Sequence, residues 1–411
     1  MTQGSVVNRL GDSNTRGRHA SARVSIGTTD VTGERPQRLT QFNYKRTIAN
    51  GANRAQITLF DESEVNIESL LISGETDVFI NYGYSGGPST PTIRTRIMDY
   101  TPTFMVGGVE LSLETMSVMA DAGAARTRAH TGRISDIVEA IAIQNAWKFD
   151  IDRTAQVPAN DDQETSARGN KVWQQTAQTD MRFIKEVLLP NAIRSSDDVG
   201  DYNLYFNDHT ATLHFHPPRL SRKPTRNYVW RGNPQEESSV INFSPSLQGK
   251  ILVPFGAQGT QITAQDSVTG ENIDATADQN NTPGKSLLGD FIQDLSSKSS
   301  VSGSEGNAFT SFLAAAGTRL QADAMVKQSW HGMFNRIYKG ELTVFGDPFV
   351  MAGDLITLTV LLKTGRPHYT SGDYLVLEAT DTLNGGEFTT TLGLIKNAAR
   401  RGPSTTDGRR A

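Results

Sequence analysis

The stretch over residues 338–362 constrains the fold most, because two runs of β-forming residues there flank a short turn. The runs cover residues 341–345 and 356–362, and both are rich in the β-branched and aromatic side chains that favour strands. An isolated pair of strands is only marginally stable in water. We therefore expect this unit to belong to a larger sheet that covers it.

The turn itself reads Gly346-Asp347-Pro348, and Gly353-Asp354 follows after four intervening residues. Pro348 fixes its own φ and favours an extended conformation at Asp347, while both glycines permit a positive φ. Aspartates at such positions commonly accept hydrogen bonds from nearby backbone N–H groups. We expect Asp347 and Asp354 to cap the turn rather than to bind a ligand.

Composition excludes several classes of function. The 411 residues include 40 Lys and Arg against 44 Asp and Glu, a net charge of −4, so no strong attraction to nucleic acid is predicted. With no cysteine, disulfides, thiolate metal sites and cysteine nucleophiles are excluded.

No apolar run approaches the roughly 20 residues of a membrane helix. No signal peptide is apparent, so we expect synthesis in a cytosol.

Strand signals dominate residues 1–125. After a polar stretch at 1–17, expected to be a mobile arm, alternating runs separated by glycine-rich turns predict a first β-barrel. A short helix is predicted at 65–71. The predicted strands cover residues 22–26, 39–49, 56–60, 78–84, 92–103 and 109–116.

The pattern changes over residues 126–225, where helical and strand signals mix. Apolar residues recur at helical spacing over 134–147 and 179–193, and Thr179 or Asp180 is a suitable cap for the second helix. Residues 203–206 and 212–215 read as a strand pair. The sequence therefore predicts an α+β domain here, inserted into a mainly β chain.

Residues 226–398 are predicted to form a second β-barrel. A Ser-, Asn- and Gly-rich flexible loop (266–306) and an alanine-rich helix (309–334) interrupt it. A final hairpin is expected, with a loop at 381–387 between its strands. The polar residues 399–411, which carry four arginines (Arg400, Arg401, Arg409 and Arg410), are expected to be a disordered tail.

Two histidines are the strongest candidates for metal ligands. His214 and His216 lie two residues apart in a predicted strand, so their side chains share one face, and Asp208 or His209 in the preceding turn is a geometrically possible further ligand. A solvated or packed strand face is the alternative that we favour, so we predict no metal, catalytic or cofactor-binding residue. The acidic pairs Asp161-Asp162 and Asp197-Asp198 fall in predicted loops, where solvation is expected.

Several short motifs resemble the hub proteins of phage tails, the late-control protein D group, which includes the hub part of type VI secretion spike proteins. The central domain carries the more specific match, because order and spacing agree over about residues 130–220. The matching segments are Ser135-Asp136-Ile137-Val138, Ile141-Ala142, Trp173-Gln174-Gln175, Thr179-Asp180-Met181-Arg182-Phe183-Ile184, Tyr205-Phe206, Leu213-His214-Phe215-His216-Pro217 and the turn at 346–354.

This resemblance implies a structural protein of the virion: a homotrimeric baseplate hub in which each subunit contributes two barrels of the tail-tube type. Such a ring adapts a hexameric tail tube to a trimeric central spike, and it implies the tube protein, the spike and other baseplate proteins as partners. It would assemble in the host cytoplasm. Because the chain ends soon after the second barrel, a hub with a separate spike is expected.

Two other functions remain open on the sequence. A tail-associated peptidoglycan hydrolase is the main alternative, although no nucleotide-binding or hydrolase motif is present. A glycan-binding module for host recognition is the other, with few loop aromatics to support it. We therefore expect a protein that is not an enzyme and requires no cofactor.

Overall fold

In a computed structural model of the chain, the described residues form a mainly β protein with two β-barrels and an α+β unit. The structure describes residues 19–32, 37–48, 52–62, 76–118, 124–157, 171–195, 201–219, 222–233, 238–247, 259–265, 272–278, 309–313, 322–328, 338–368, 370–384 and 387–396. Among them, no helix is both long enough and apolar enough to cross a bilayer.

The first barrel consists of strands from the N-terminal part of the chain, and each strand that the alternation predicted is confirmed. They are β1 (Ala20–Ile26), β2 (Thr29–Asp30), β3 (Gln37–Thr47), β4 (Arg54–Asp61), β5 (Asp77–Tyr84), β6 (Ile93–Met105) and β7 (Gly108–Ser117).

The α+β unit follows, with both predicted helices and the predicted strand pair. Its elements are β8 (Arg126–Thr131), α1 (Ile134–Gln144), β9 (Lys148–Ile151), β10 (Val172–Gln178), α2 (Asp180–Phe183), β11 (Asn203–Asn207) and β12 (Thr212–His216). After α2 the chain stays helical through a π turn at Ile184–Leu188 and a 3₁₀ turn at Leu189–Asn191. The Thr179 hydroxyl caps α2 by accepting a hydrogen bond from the Arg182 N–H.

The second barrel is built from strands on both sides of the segment at 248–337. The remaining elements are β13 (Arg226–Arg231), β14 (Val240–Leu247), β15 (Gly259–Gln265), β16 (Asn272–Asp278), β17 (Phe309–Leu313), α3 (322–328), β18 (Tyr338–Phe345), β19 (Leu355–Leu361), β20 (Gly372–Asn384) and β21 (Glu387–Lys396). Strands β15, β16 and β17 form a separate three-stranded sheet.

One continuous sheet contains the strands of both barrels. Its order runs β14-β18-β21-β20-β3-β4-β7-β6-β5-β1-β2, with β19 and β13 branching from β20. The antiparallel pairing of β20 with β3, from Glu378 opposite Thr47 to Asn384 opposite Gln41, joins the two barrels. On the far side, the Ser239 N–H donates to the Val229 carbonyl at 3.1 Å and brings β14 against β13.

Each barrel has its own apolar core, which follows from the alternation of inward and outward side chains along its strands. The first core includes the fully buried Val24, Ile57 and Ile80, and Leu383 and Phe388 from β20 and β21 complete it. The second core holds the inward residues of β18 to β21, together with Tyr228 and Val240. The long strand β20 therefore contributes to both cores.

The α+β unit buries a third core between its helices and two small sheets. The amphipathic helix α1 contributes Ile134, Ile137, Val138 and Ile141, as its spacing predicts. In the larger of the two sheets, β12 pairs antiparallel with β11 and parallel with β9. The parallel pairing places residues of β9 and β12 side by side on one face.

Three sequence predictions about the second barrel are corrected. Residues 381–384 belong to β20 rather than to a loop, because β3 of the first barrel supplies a hydrogen-bonding partner far away in the chain. Residues 272–278 of the predicted flexible loop form β16, and residues 309–313 of the predicted helix form β17, both paired with β15. Helix occurs later in that segment, at residues 322–328.

Other predictions fall outside the described residues. These are the N-terminal arm over 1–17, the short helix at 65–71, most of the loop at 266–306, the parts of the predicted helix at 314–321 and 329–334, and the tail at 399–411 with its arginines. The acidic pairs Asp161-Asp162 and Asp197-Asp198 also fall there.

Candidate functional site

A fully buried ion pair lies where the two barrels meet. Arg46 of β3 is 1% exposed and Asp381 of β20 is 0% exposed, and their side chains are 2.7 Å apart. The Arg46 guanidinium also donates to the Tyr82 hydroxyl and to the Pro348 carbonyl, at 3.1 and 3.0 Å. Burial raises the pKa of Asp381, and the charge of Arg46 opposes that shift. Because both charges are buried, removing either partner would leave the other charge uncompensated in the protein interior, which destabilises the fold.

The turn at residues 346–354 is part of the same buried network. The Asp347 carboxylate accepts from the Phe349 N–H at 3.2 Å, and Asp354 accepts from the Met351 N–H at 3.0 Å. The prediction that both aspartates cap the turn is therefore confirmed. Asp347 also pairs with Arg226 of β13 and accepts from the Tyr228 hydroxyl, each at 2.9 Å.

The two glycines of the turn serve different purposes. Gly353 has a φ of +91°, as predicted, and a Cβ there would lie 2.4 Å from the Tyr205 hydroxyl of the α+β unit. Gly346 does not have a positive φ; a Cβ at this position would lie 2.2 Å from the ring of Phe388. The turn is therefore a contact point for both the first barrel core and the α+β unit.

Asp208 fastens the α+β unit to the first barrel. This carboxylate, in the turn between β11 and β12, accepts hydrogen bonds from the Tyr44 hydroxyl, the Asn53 amide at 2.7 Å and the Ser117 hydroxyl at 2.6 Å. Burial raises the pKa of Asp208, and these donors oppose the shift. We name the buried groups around Arg46, Asp347 and Asp208 the junction, because they connect all three units.

The distal part of β6 together with the turn that follows it, residues 98–107, is a contrasting exposed surface that we name the β6 edge. All ten of its residues are exposed, although Met98, Tyr100, Phe104, Met105 and Val106 are large and apolar. Phe104 is 81% exposed. Among the described residues, the strand part of the β6 edge pairs with β7 alone. An apolar strand that covers no core and leaves one edge open is suited to bind another protein.

The two histidines considered from the sequence do share a face of β12. The third side chain beside them is Asp150, which the parallel pairing of β9 places opposite His214, rather than Asp208 or His209. Ligand atoms of Asp150, His214 and His216 all lie within 4.8 Å of one another. Burial lowers the pKa of His214 to about 4 and also lowers that of His216, so both imidazoles are neutral at neutral pH.

His209 does not join this group. It lies in the turn before β12, with its ring centroid 6.1 Å from that of Phe349, and burial lowers its pKa to about 3. Asp208 is not part of the group either, because its carboxylate accepts the hydrogen bonds of the junction.

The sequence analysis did not identify Asp150, Arg46 or Asp381 as site residues. Each acquires its partner through strand pairing between distant segments, for which the sequence carries no local signal.

Comparison with known proteins identifies the fold. No family model matches the chain, and no curated protein sequence matches it significantly. Among solved structures, the 43 kDa tail protein of prophage MuSo2 from Shewanella oneidensis superposes with a TM-score of 0.56 at 10% identity, over 92% of this chain and 99% of that one. A tail protein of Neisseria meningitidis MC58 gives 0.55 at 10% identity, over 92% and 97%.

A third similar structure comes from a secretion system. A chain of the Francisella PdpA-VgrG complex gives a TM-score of 0.50 at 6% identity, with 97% of this chain matching 56% of that one. The chain therefore has the fold of phage tail proteins and VgrG-like proteins, as the motifs had indicated, across nearly its whole length.

Proposed function

We propose that this protein is a structural component of a phage tail: a baseplate hub that assembles as a homotrimer and connects the tail tube to a central spike. The division into two barrels (1–125 and 226–398) and a central domain (126–225) is part of the proposal, as is a location in the virion tail after assembly in the host cytoplasm. The similar folds of two tail proteins support the tail role.

The observation that carries the hub assignment is the pairing of β20 with β3, which holds two barrels side by side in one sheet. Three such chains around a three-fold axis present six barrels. A ring of that kind matches a six-fold tube on one face and a three-fold spike on the other. The buried Arg46–Asp381 pair fixes the two barrels of each chain to one another, so the ring has a defined geometry.

The β6 edge supplies a contact surface for neighbouring tail subunits. Phe104, Met105 and Val106 are adjacent apolar residues at its end and lie in solvent in the single chain. Burying each against a neighbour is worth about 1.5 to 3 kcal/mol. Tyr100 and Met98 extend the same surface towards the barrel. Assembly through this edge also removes the open strand edge, which otherwise favours aggregation.

The proposed role is adhesion and alignment without turnover. Among the described residues, the carboxylates of the junction are engaged by Arg46, Arg226, tyrosine hydroxyls or backbone N–H groups, and they are buried away from any substrate. A peptidoglycan zymogram tests the alternative directly. We expect no clearing, and clearing that depends on this chain would replace the hub assignment with a hydrolase.

The assembly surface is tested by charge substitution at the β6 edge. The variant Phe104→Asp with Val106→Asp should fold with an unchanged thermal transition, because both side chains lie in solvent, yet fail to co-sediment with the tube and spike proteins. Ile143→Asp, on the exposed face of α1 at 62% exposure, is the matched control and should assemble normally. Normal assembly of the β6 variant would contradict the proposed interface.

A further inference from the structure

Asp150, His214 and His216 form a compact set of ligand atoms on one face of the small parallel sheet. His214 lies opposite Asp150 in register, and His216 follows two residues later on the same face. The two imidazole rings are nearly perpendicular, with centroids 5.6 Å apart. The backbones of two paired strands hold all three side chains, so their arrangement does not depend on a flexible loop.

The distance between His214 and Asp150 suits a first-row transition metal. The Nδ1 atom of His214 lies 3.4 Å from Oδ2 of Asp150, and it is buried without a hydrogen bond among the described residues. Zinc binds imidazole nitrogen and carboxylate oxygen at about 2.0 to 2.2 Å in tetrahedral geometry, so two such ligand atoms lie about 3.4 Å apart. The pair is too long for a good hydrogen bond but matches one edge of a metal tetrahedron.

His216 is oriented for the same role. Its Nδ1 lies 2.8 Å from the Pro217 carbonyl and must donate to it, which leaves Nε2 as an acceptor. A ligand histidine is commonly held in this way by a hydrogen bond from its other nitrogen. At present Nε2 is 3.3 Å from the Tyr205 hydroxyl, a long hydrogen bond that is easily exchanged for a metal ligand.

The charges of the side chains around the site are also compatible with a bound cation. Two carboxylates, Asp150 and Asp152, share the single guanidinium of Arg219 at 2.6 Å each. Counting formal charges, Asp150, Asp152 and Arg219 together carry one net negative charge, which a divalent cation would reverse to a positive one.

We infer that Asp150, His214 and His216 form a binding site for a divalent transition metal such as Zn²⁺, Co²⁺ or Ni²⁺, which imidazole ligands favour over Mg²⁺ and Ca²⁺. The fourth position is open to water. On binding, Arg219 retains its bonds to Asp152 and releases Asp150. Arg219 therefore competes with the metal, and removing its charge should strengthen binding.

The test uses Co²⁺ as the probe on the full chain, with isothermal titration for stoichiometry and visible absorption for geometry. The wild type should bind one Co²⁺ with the intense visible bands of a tetrahedral or five-coordinate site. His214→Ala with His216→Ala should weaken binding by at least about 100-fold, since even outer-shell changes cost about 10- to 100-fold. Arg219→Gln should tighten it, and His19→Ala, an exposed histidine, should leave it unchanged.

Three results of these titrations would contradict the proposed metal site. Absence of one-to-one binding by the wild type would overturn it, whether or not any variant folds. Binding that survives in the double histidine variant, or that is lost in His19→Ala, would assign the metal to surface histidines instead. Because the titration uses the isolated chain, its result is independent of the proposed tail assembly.

Discussion

Replacing Arg46 by methionine is the sharpest test of how the two barrels are held together. Methionine fills much of the volume but removes the ion pair to Asp381 at 2.7 Å and the hydrogen bonds to Pro348 and Tyr82. Asp381 is 0% exposed, so its charge would be left in the core without a partner. Breaking a buried pair in this way costs about 3 to 5 kcal/mol, and we expect that loss in the free energy of unfolding.

The second substitution separates the charge from the packing. In Arg46→Met with Asp381→Asn, no uncompensated charge remains. The amide oxygen can accept from one of the two hydroxyls, of Thr390 and Tyr82, that now donate to Asp381, and the amide NH₂ can donate to the other. We therefore expect the double variant to be more stable than Arg46→Met alone, with a coupling of about 2 to 3 kcal/mol in the double-mutant cycle. Denaturant unfolding and hydrogen exchange of the β3 and β20 amides provide the measurements.

The chain offers a matched control in the neighbouring register position. Lys45 and Glu378 join the same two strands at 2.7 Å, but their side chains are 50% and 39% exposed. An exposed pair is worth less than about 1 kcal/mol, so Lys45→Met should change stability little. If Arg46→Met were no more destabilising than Lys45→Met, burial would not be the source of the stability at this contact, and the reasoning would fail.

Three further substitutions test the junction. Burial raises the pKa of Asp354 from 3.8 to about 6, so stability is lost as the pH rises from about 4 to 6 and the full cost is present above pH 6. Asp354→Asn should therefore gain up to about 3 kcal/mol at pH 8 and little near pH 4, whereas a pH-independent difference would contradict this. Gly353→Ala should cost more than Gly365→Ala, because both have a positive φ but only Gly353 meets a side chain; equal melting temperatures would refute it. Asp208→Ala should speed proteolysis between the α+β unit and the first barrel, and unchanged cleavage would exclude a fastening role.

The strands were predictable because their alternation is local. In β4, for example, inward and outward residues alternate along Arg54–Asp61, and the apolar periodicity of α1 likewise matches its buried face. Glycine and proline also identified the turn at 346–354, and the aspartates beside them identified its caps. These features depend on neighbours within a few residues, which the sequence displays directly.

The contacts that define the junction were not predictable, because each depends on pairing across the chain. Asp381 and Thr382 are polar and suggested a loop, yet they continue β20 because β3 pairs beside them. Asp381 tolerates burial only because Arg46 lies 2.7 Å away. In the same way, His214 and His216 were candidate ligands, although a solvated or packed strand face was the favoured interpretation. Asp150 becomes their neighbour only through the parallel pairing of β9 and β12.

The solution mass of the chain, alone and mixed with candidate tube and spike proteins, tests the hub assignment most directly. We expect a trimer of three 44.8 kDa chains, about 134 kDa, either for the chain alone or once the spike is added. We also expect this trimer to join the tube protein through the β6 edge. A chain that stays monomeric at every concentration and binds neither protein would contradict the assignment.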